Sequence, residues 1–434
     1  MNKKVSIGAT IALVIIAMAL TVSVTMVIAM RQFSSMINEL QKRQVMYDYL
    51  TEIDKAVRNH YEGTIDEEKL RAALAAGYVD GIGDPYAAYL SADEYRTVQE
   101  QRTGKYTGFG IEVAEDAEGR TVVSSVYVNS AAEKAGIQKG HIVTAVDGAD
   151  VAPGDMLTVK SKLQTATKIM LTVEKDGVSN AFSLSSSTIS LVSVEEQLLD
   201  SVGYIRIRRF SDNTFEQFKS AYSALISEGA TSFVFDLRNN EGGTVESAKE
   251  ILSYLMPRGL YAYELVEKTG DKLEVASEDA FQMDVSSVTL VNGRTAGEAE
   301  FFAGVLQEFQ RTKIIGDTTA GRSRTQSYFP ISSDNAAVCL STSTLQLLKS
   351  GSWEGKGLTP NKLVTLEDES VNLDLLAPEQ DAQLQAAIAT LLGNLNVPVQ
   401  PEPSTTVPSE TTSSGTETTA VSTAAAETTS ASKK

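Results

Sequence analysis

From Val5 to Met30 the chain runs without a single charged side chain, with Lys3 and Lys4 before it and Arg31 after it. A helix of that length would extend roughly 39 Å, enough to cross a hydrocarbon layer of about 30 Å with tilt. The run is longer than the apolar region of a cleaved signal peptide and has no small-x-small cleavage site. It reads as a retained signal anchor. The flanking lysines place the N-terminus inside and the bulk of the chain on the extracytoplasmic side of the cell membrane. Beyond it, Met36–Val57 spaces Ile37, Leu40, Met46, Leu50, Ile53 and Val57 for one helical face. That face suits a stalk, a pairing surface between two copies, or a helix packed on its own domain.

The pattern then shortens. Val122–Val128 alternates apolar and polar, Ser130–Gly136 (SAAEKAG) has a helix start and a glycine stop, and His141–Gly148 (HIVTAVDG) reads as strand plus turn. Leu157–Leu163 suits a second helix and Ile169–Val173 a last strand. With the glycine-rich TGFG at Thr107–Gly110, these pieces resemble a PDZ domain. The resemblance implies that backbone N–H groups of Gly108, Phe109, Gly110 and Ile111 hold a peptide's C-terminal carboxylate while the peptide adds a strand to a sheet edge.

From Gly203 the period alternates between strand and helix. Tyr204–Ile207, Phe233–Leu237, Val288–Val291 and Lys313–Ile315 read as strands, and Phe233–Leu237 (FVFDL) has the apolar run of a buried parallel strand. Thr214–Ile226, Val245–Leu255 and Glu298–Phe309 read as helices, and Pro378 and Gly393 frame a last one, Glu379–Leu392. Such βαβ alternation predicts an α/β core with a mixed sheet and functional loops at the carboxyl ends of its strands. Pro401–Lys434 is nearly all Pro, Ser, Thr, Glu and Ala, so it buries too little to offset ordering entropy and is expected to be disordered. The divisions are 1–31 anchor, 32–100 helical region, 103–185 PDZ-like domain, 186–395 core and 396–434 tail.

Composition removes several classes. With 38 Lys+Arg against 56 Asp+Glu the net charge is -18, unsuited to nucleic acid. The lone Cys339 allows neither an intramolecular disulfide nor a cysteine-pair zinc site. His60 and His141 lie away from any nucleophile candidate and there is no HExxH, so a zinc peptidase is out and a Ser-His-Asp triad is disfavoured. No metal or cofactor is expected, and a hydrolase would need a lysine or carboxylate as base.

Taken together, GDPYAAYLSADEY (Gly83–Tyr95), GYIRI (Gly203–Ile207), DLRNNEGG (Asp236–Gly243), LVNGRTAGEAE (Leu290–Glu300), GDTTAG (Gly316–Gly321) and GKGLTP (Gly355–Pro360) resemble the carboxyl-terminal processing peptidases, or tail-specific proteases. Active members carry Gly-Ser/Thr-Ala-Ser-Ala-x-Glu, then Gly-Lys-Gly-x-x-Gln. The resemblance implies that the serine attacks, the lysine is the base and the glutamine orients it. Anchored on Thr295, Ala296 and Glu300, Gly297 stands at the serine. Anchored on Thr319, Gly321 and Gln326, Arg322 stands at the lysine. The interval between 297 and 322 equals the family's. Glycine offers no nucleophile and arginine, with a pKa above about 12, no base. Gln326 remains, as do Gly242 and Gly243, which in relatives lie near the oxyanion site.

Thr295 and Ser323 are secondary candidates for a substitute nucleophile. Lys313 and Lys356 read as solvated charges, and Glu298 as a helix-start carboxylate that compensates the dipole. The leading expectation is a pseudoprotease that binds peptide or protein C-termini, as a possible homodimer or with an active relative. The rivals are a serine-type endopeptidase with a non-standard nucleophile and a structural envelope protein.

Overall fold

The computed structural model describes residues 7–277, 285–366, 373 and 376–393. Lys3, Lys4 and the tail at 396–434 lie outside them. The chain divides into two compact units, 1–78 and 79–434.

In the first unit α1 (Ile7–His60) carries the apolar run and the amphipathic stretch in one continuous helix. Its large apolar side chains are exposed, Ile37, Leu40, Leu50, Ile53 and Val57 among them. Among the described residues it is the helix long and apolar enough to cross a membrane. That is compatible with a membrane anchor or a signal sequence. Within the apolar stretch the Thr25 hydroxyl donates to the Thr21 carbonyl at 2.7 Å, so a polar group needs no water there. The helix ends where Arg58 pairs with Asp54 and with Glu67 of α2 (Glu67–Asp80).

The second unit opens with β1 (Ala88–Leu90) and α3 (Ala92–Thr103), which a Ser91–Glu94 capping box starts and left-handed Gly104 stops. β2 (Lys105–Gly108) leads into the glycine-rich loop. A small sheet follows, built from β3 (Ile111–Glu115), β4 (Thr121–Val126), β5 (Ile142–Val146), β6 (Ala149–Asp150), β7 (Lys168–Lys175) and β8 (Val178–Ser185). Its order is β3-β4-β5-β7-β8, with β6 beside β5. The helices α4 (Ala131–Ala135) and α5 (Met156–Thr165) close it over Phe109, Val123, Ala132 and Leu171. The strand read as the last of this module is followed by another. Asp176 and Gly177 both take positive φ, which makes a tight hairpin turn from β7 to β8. β8 is half polar and mostly exposed, so its period is faint.

β9 (Ser187–Ser190) pairs antiparallel with β2, so both ends of the module pass through one two-stranded ribbon. The core sheet comprises β10 (Val194–Leu199), β11 (Val202–Ile207), β12 (Ser232–Asp236), β15 (Ser286–Val291), β16 (Thr312–Gly316) and β19 (Lys362–Leu363), paired in that order. β10 runs antiparallel to β11 and the others are parallel, which makes the sheet mixed. On one face α6 (Thr214–Glu228), α7 (Val245–Leu255) and α8 (Glu298–Glu308) bury Phe218, Leu252 and Phe302 against Ile205 and Phe235. On the other, α9 (Ala382–Leu391) covers Val234, Val288 and Ile315.

The last helix begins later than its proline suggests. A 3-10 turn occupies Pro378–Gln380, and α9 starts where the Asp381 carboxylate accepts from Leu384 N–H at 3.0 Å. A second sheet joins β1, β18 (Ala337–Leu347), β13 (Gly259–Val266) and β14 (Lys272–Ser277), with β17 (Arg324–Pro330) on β18.

Candidate functional site

Three loops leave the carboxyl ends of adjacent parallel strands β12, β15 and β16, carrying Leu237–Gly243, Asn292–Gly297 and Asp317–Arg322. Backbone hydrogen bonds join them: Ala296 N–H donates to the Asn240 carbonyl and Ala320 N–H to the Thr295 carbonyl, each at 2.9 Å. At the junction sits Glu300, fully buried on the first turn of α8. It accepts from Gly321 N–H and Arg322 N–H at 2.8 Å, from Gly297 N–H at 3.1 Å and from the Thr319 hydroxyl. Gly297 and Arg322 donate to the same oxygen, so one carboxylate brings together the two segments that carry the family pattern. Burial raises the Glu300 pKa against the lowering pull of these hydrogen bonds.

Gly297 caps α8 with φ 60° and ψ -123°. L side chains rarely adopt that backbone region. A Cβ placed there would meet the Glu241 carbonyl oxygen at 3.5 Å and Gly242 Cα at 3.8 Å, ordinary contacts. There is room for a side chain where the sequence has none. The Arg322 guanidinium lies 5.4 Å from the centre of the Tyr86 ring. This cation–π contact sets the charge over an aromatic face. Gln326 is not engaged with it: its amide donates to the Arg324 carbonyl at 2.8 Å, beside a bulge in β17.

The secondary candidates are held elsewhere. The Thr295 hydroxyl is buried, donating to the Leu237 carbonyl at 2.9 Å and accepting from Asn292 N–H at 3.0 Å. Ser323 is also buried; its hydroxyl meets Ser352 at 2.8 Å and Glu354 at 3.0 Å, and Tyr86 O–H donates to the other Glu354 oxygen at 3.2 Å. Lys313 and Lys356 are exposed.

Gly242 borders Gly297, and Gly243 follows it. A Cβ on Gly243 would stand 1.9 Å from the Phe210 carbonyl oxygen. Only glycine fits there. Gly243 N–H donates to the Glu298 carboxylate at 2.8 Å, a contact the reading of Glu298 as a dipole partner missed. Burial pushes the Glu298 pKa up, opposed by that hydrogen bond and by Arg322 and Arg102. Arg102, from α3, stacks 4.9 Å from the centre of the Tyr328 ring.

In the small β-rich module, Phe109 and Ile111 point into the core and their loop is closed by its own chain. Gly110 N–H donates to the Tyr106 hydroxyl at 3.2 Å, and the Tyr106 ring meets Tyr127 edge-on at 4.6 Å. Among the described strands β3 pairs only with β4, leaving a free sheet edge next to the loop.

Residues 201–364 match the family model described as Peptidase family S41, and residues 122–175 match that of the PDZ domain. The chain carries a peptidase family S41 domain and a PDZ domain. Among its relatives is a “Probable CtpA-like serine protease” of Staphylococcus saprophyticus. It is 29% identical over 370 residues, 83% of this chain and 73% of that protein. A “Carboxyl-terminal-processing protease” of Synechocystis sp. is 28% identical, covering 80% of each. Of solved structures, the “Photosystem II D1 C-terminal processing protease” aligns at 20% identity and TM-score 0.42, over 73% of this chain and 86% of that one.

Proposed function

We propose that this chain binds peptide or protein C-termini without cleaving them, as a membrane-anchored pseudoprotease facing the extracytoplasmic side. One observation carries the reading. The scaffold around Gly297 has room for a nucleophile and lacks one, while Glu300 holds Arg322 beside it in place of a base. A guanidinium stays protonated and cannot accept a hydroxyl proton. The nearby hydroxyls of Thr295, Thr319 and Ser323 are buried and committed to hydrogen bonds, which disfavours a substitute nucleophile. Peptide capture is assigned to the PDZ loop Gly108–Ile111 with the free edge of β3. The exposed face of α1 beyond Arg31 suits pairing with a second copy or with an active relative.

The test is turnover of an unstructured protein by the full chain in detergent, comparing wild type with Gly297→Ser plus Arg322→Lys. The expected result is no turnover by wild type and turnover or fluorophosphonate labelling at position 297 in the double variant. Turnover by wild type would refute the proposal.

A further inference from the structure

We infer that Glu298 is a built-in occupant of the cleft: its carboxylate holds the Gly243 N–H, and a ligand carboxylate reaches that donor only when Glu298 leaves it. The inference rests on the non-cleaving reading above and deepens it by naming what the cleft takes and what keeps it shut.

The contact is specific. A carboxylate oxygen of Glu298 accepts from Gly243 N–H at 2.8 Å. Such a charge-assisted bond is stronger than a neutral one. The same oxygen would stand 2.4 Å from a Cβ on Gly242, so glycine at 242 is what admits it. Gly297 borders the same space, with the position of its absent side chain 3.8 Å from Gly242 Cα. Two cations from separate elements act on the carboxylate: Arg322, stacked on Tyr86, and Arg102, stacked on Tyr328. A donor N–H whose partner feels the charge of two guanidiniums suits a carboxylate rather than a neutral carbonyl. Glu298 meets that demand from within the chain, at the high effective concentration of a tethered group. An incoming peptide would compete through its C-terminal carboxylate.

The sequence offers a direct probe. Gly242–Gly243 is the sole Gly-Gly pair in the chain. Glycine labelled with carbonyl carbon-13 and amide nitrogen-15 therefore gives one carbonyl-correlated amide resonance, that of Gly243. The experiment uses the full chain in detergent micelles, with tri-alanine and its C-terminal amide as probes. Glu298→Ala should move the Gly243 resonance upfield, and tri-alanine should then shift it at a roughly tenfold lower concentration than in wild type, the gain from freeing one charge-assisted donor. The amide probe should act more weakly. Glu298→Gln keeps an uncharged acceptor and the fold, and should fall between wild type and alanine.

A Gly243 resonance unmoved by both substitutions would overturn the inference, as would equal response to tri-alanine in wild type and variants. Cleavage of the probe by wild type, read as new masses, would instead overturn the non-cleaving function and leave the resonance to judge Glu298.

Discussion

At the scale of single residues, the cleft is governed by two carboxylates on one turn of α8. Glu300 faces inward and ties Gly297 to Arg322, while Glu298 turns back to Gly243. Restoring serine and lysine should therefore give only partial labelling, and adding Glu298→Ala should raise the fluorophosphonate rate by roughly tenfold, the order of one reopened charge-assisted donor. Equal rates in the double and triple variants would count against this. Glu298 also predicts a pH effect. Its carboxyl is raised above the ordinary 4.5, so the folded chain keeps a proton that the unfolded chain has released. The corresponding stability is complete below that value and lost as pH climbs through the folded pKa. Glu298→Gln mimics the protonated form, so its Tm advantage over wild type should grow as pH rises above 4.5. A constant difference across thermal melts would contradict it. Gly297 and Arg322 were legible from motif spacing. The role of Glu298 was not, because its partner Gly243 is remote in sequence and only folding brings them together.

Among the elements, those with strong local periodicity were the readable ones. β12 buries every residue and α7 has both cap and amphipathic face, so each is marked by its own sequence. The second sheet lacked such a mark. β1 pairs with β18 from the far end of the chain, and β18 runs from four apolar residues into four Ser and Thr, so nothing local indicates the partner. α9 is fixed by a buried ion network: Arg238 meets Asp236 and Asp381, with shortest contacts of 2.6 and 2.7 Å. Burial alone would raise the Asp236 pKa, but Arg238 overrides it and holds the carboxylate ionised. Asp381→Ala strips a partner from a buried guanidinium and a cap from α9, and should lower stability by about 3–5 kcal/mol. A urea midpoint that does not move would show the helix to be held by packing alone. In the PDZ loop, Tyr106→Phe keeps the ring and removes the hydroxyl that occupies Gly110 N–H. It should tighten binding of a free C-terminal apolar peptide by roughly threefold to tenfold, at a stability cost of about 1 kcal/mol. Fluorescence anisotropy showing no change would mean that the hydroxyl does not cover the site.

Taken whole, the chain joins a long exposed apolar helix to a globular S41 body. If α1 is retained as an anchor, the protein should stay with membranes through an alkaline carbonate wash at its full 46.6 kDa. A shortened, soluble product would identify the segment as a cleaved signal. The C-terminal tail and the charges before Val5 were read from composition and fall outside the described residues. The ribbon of β2 and β9 has a mechanical consequence of its own. Because the PDZ domain enters and leaves through paired strands, it is strapped down twice, and severing either strand would not set it loose. The entry and exit of the domain therefore lie side by side, so a change in the pairing of β2 with β9 would reach both of its ends at once.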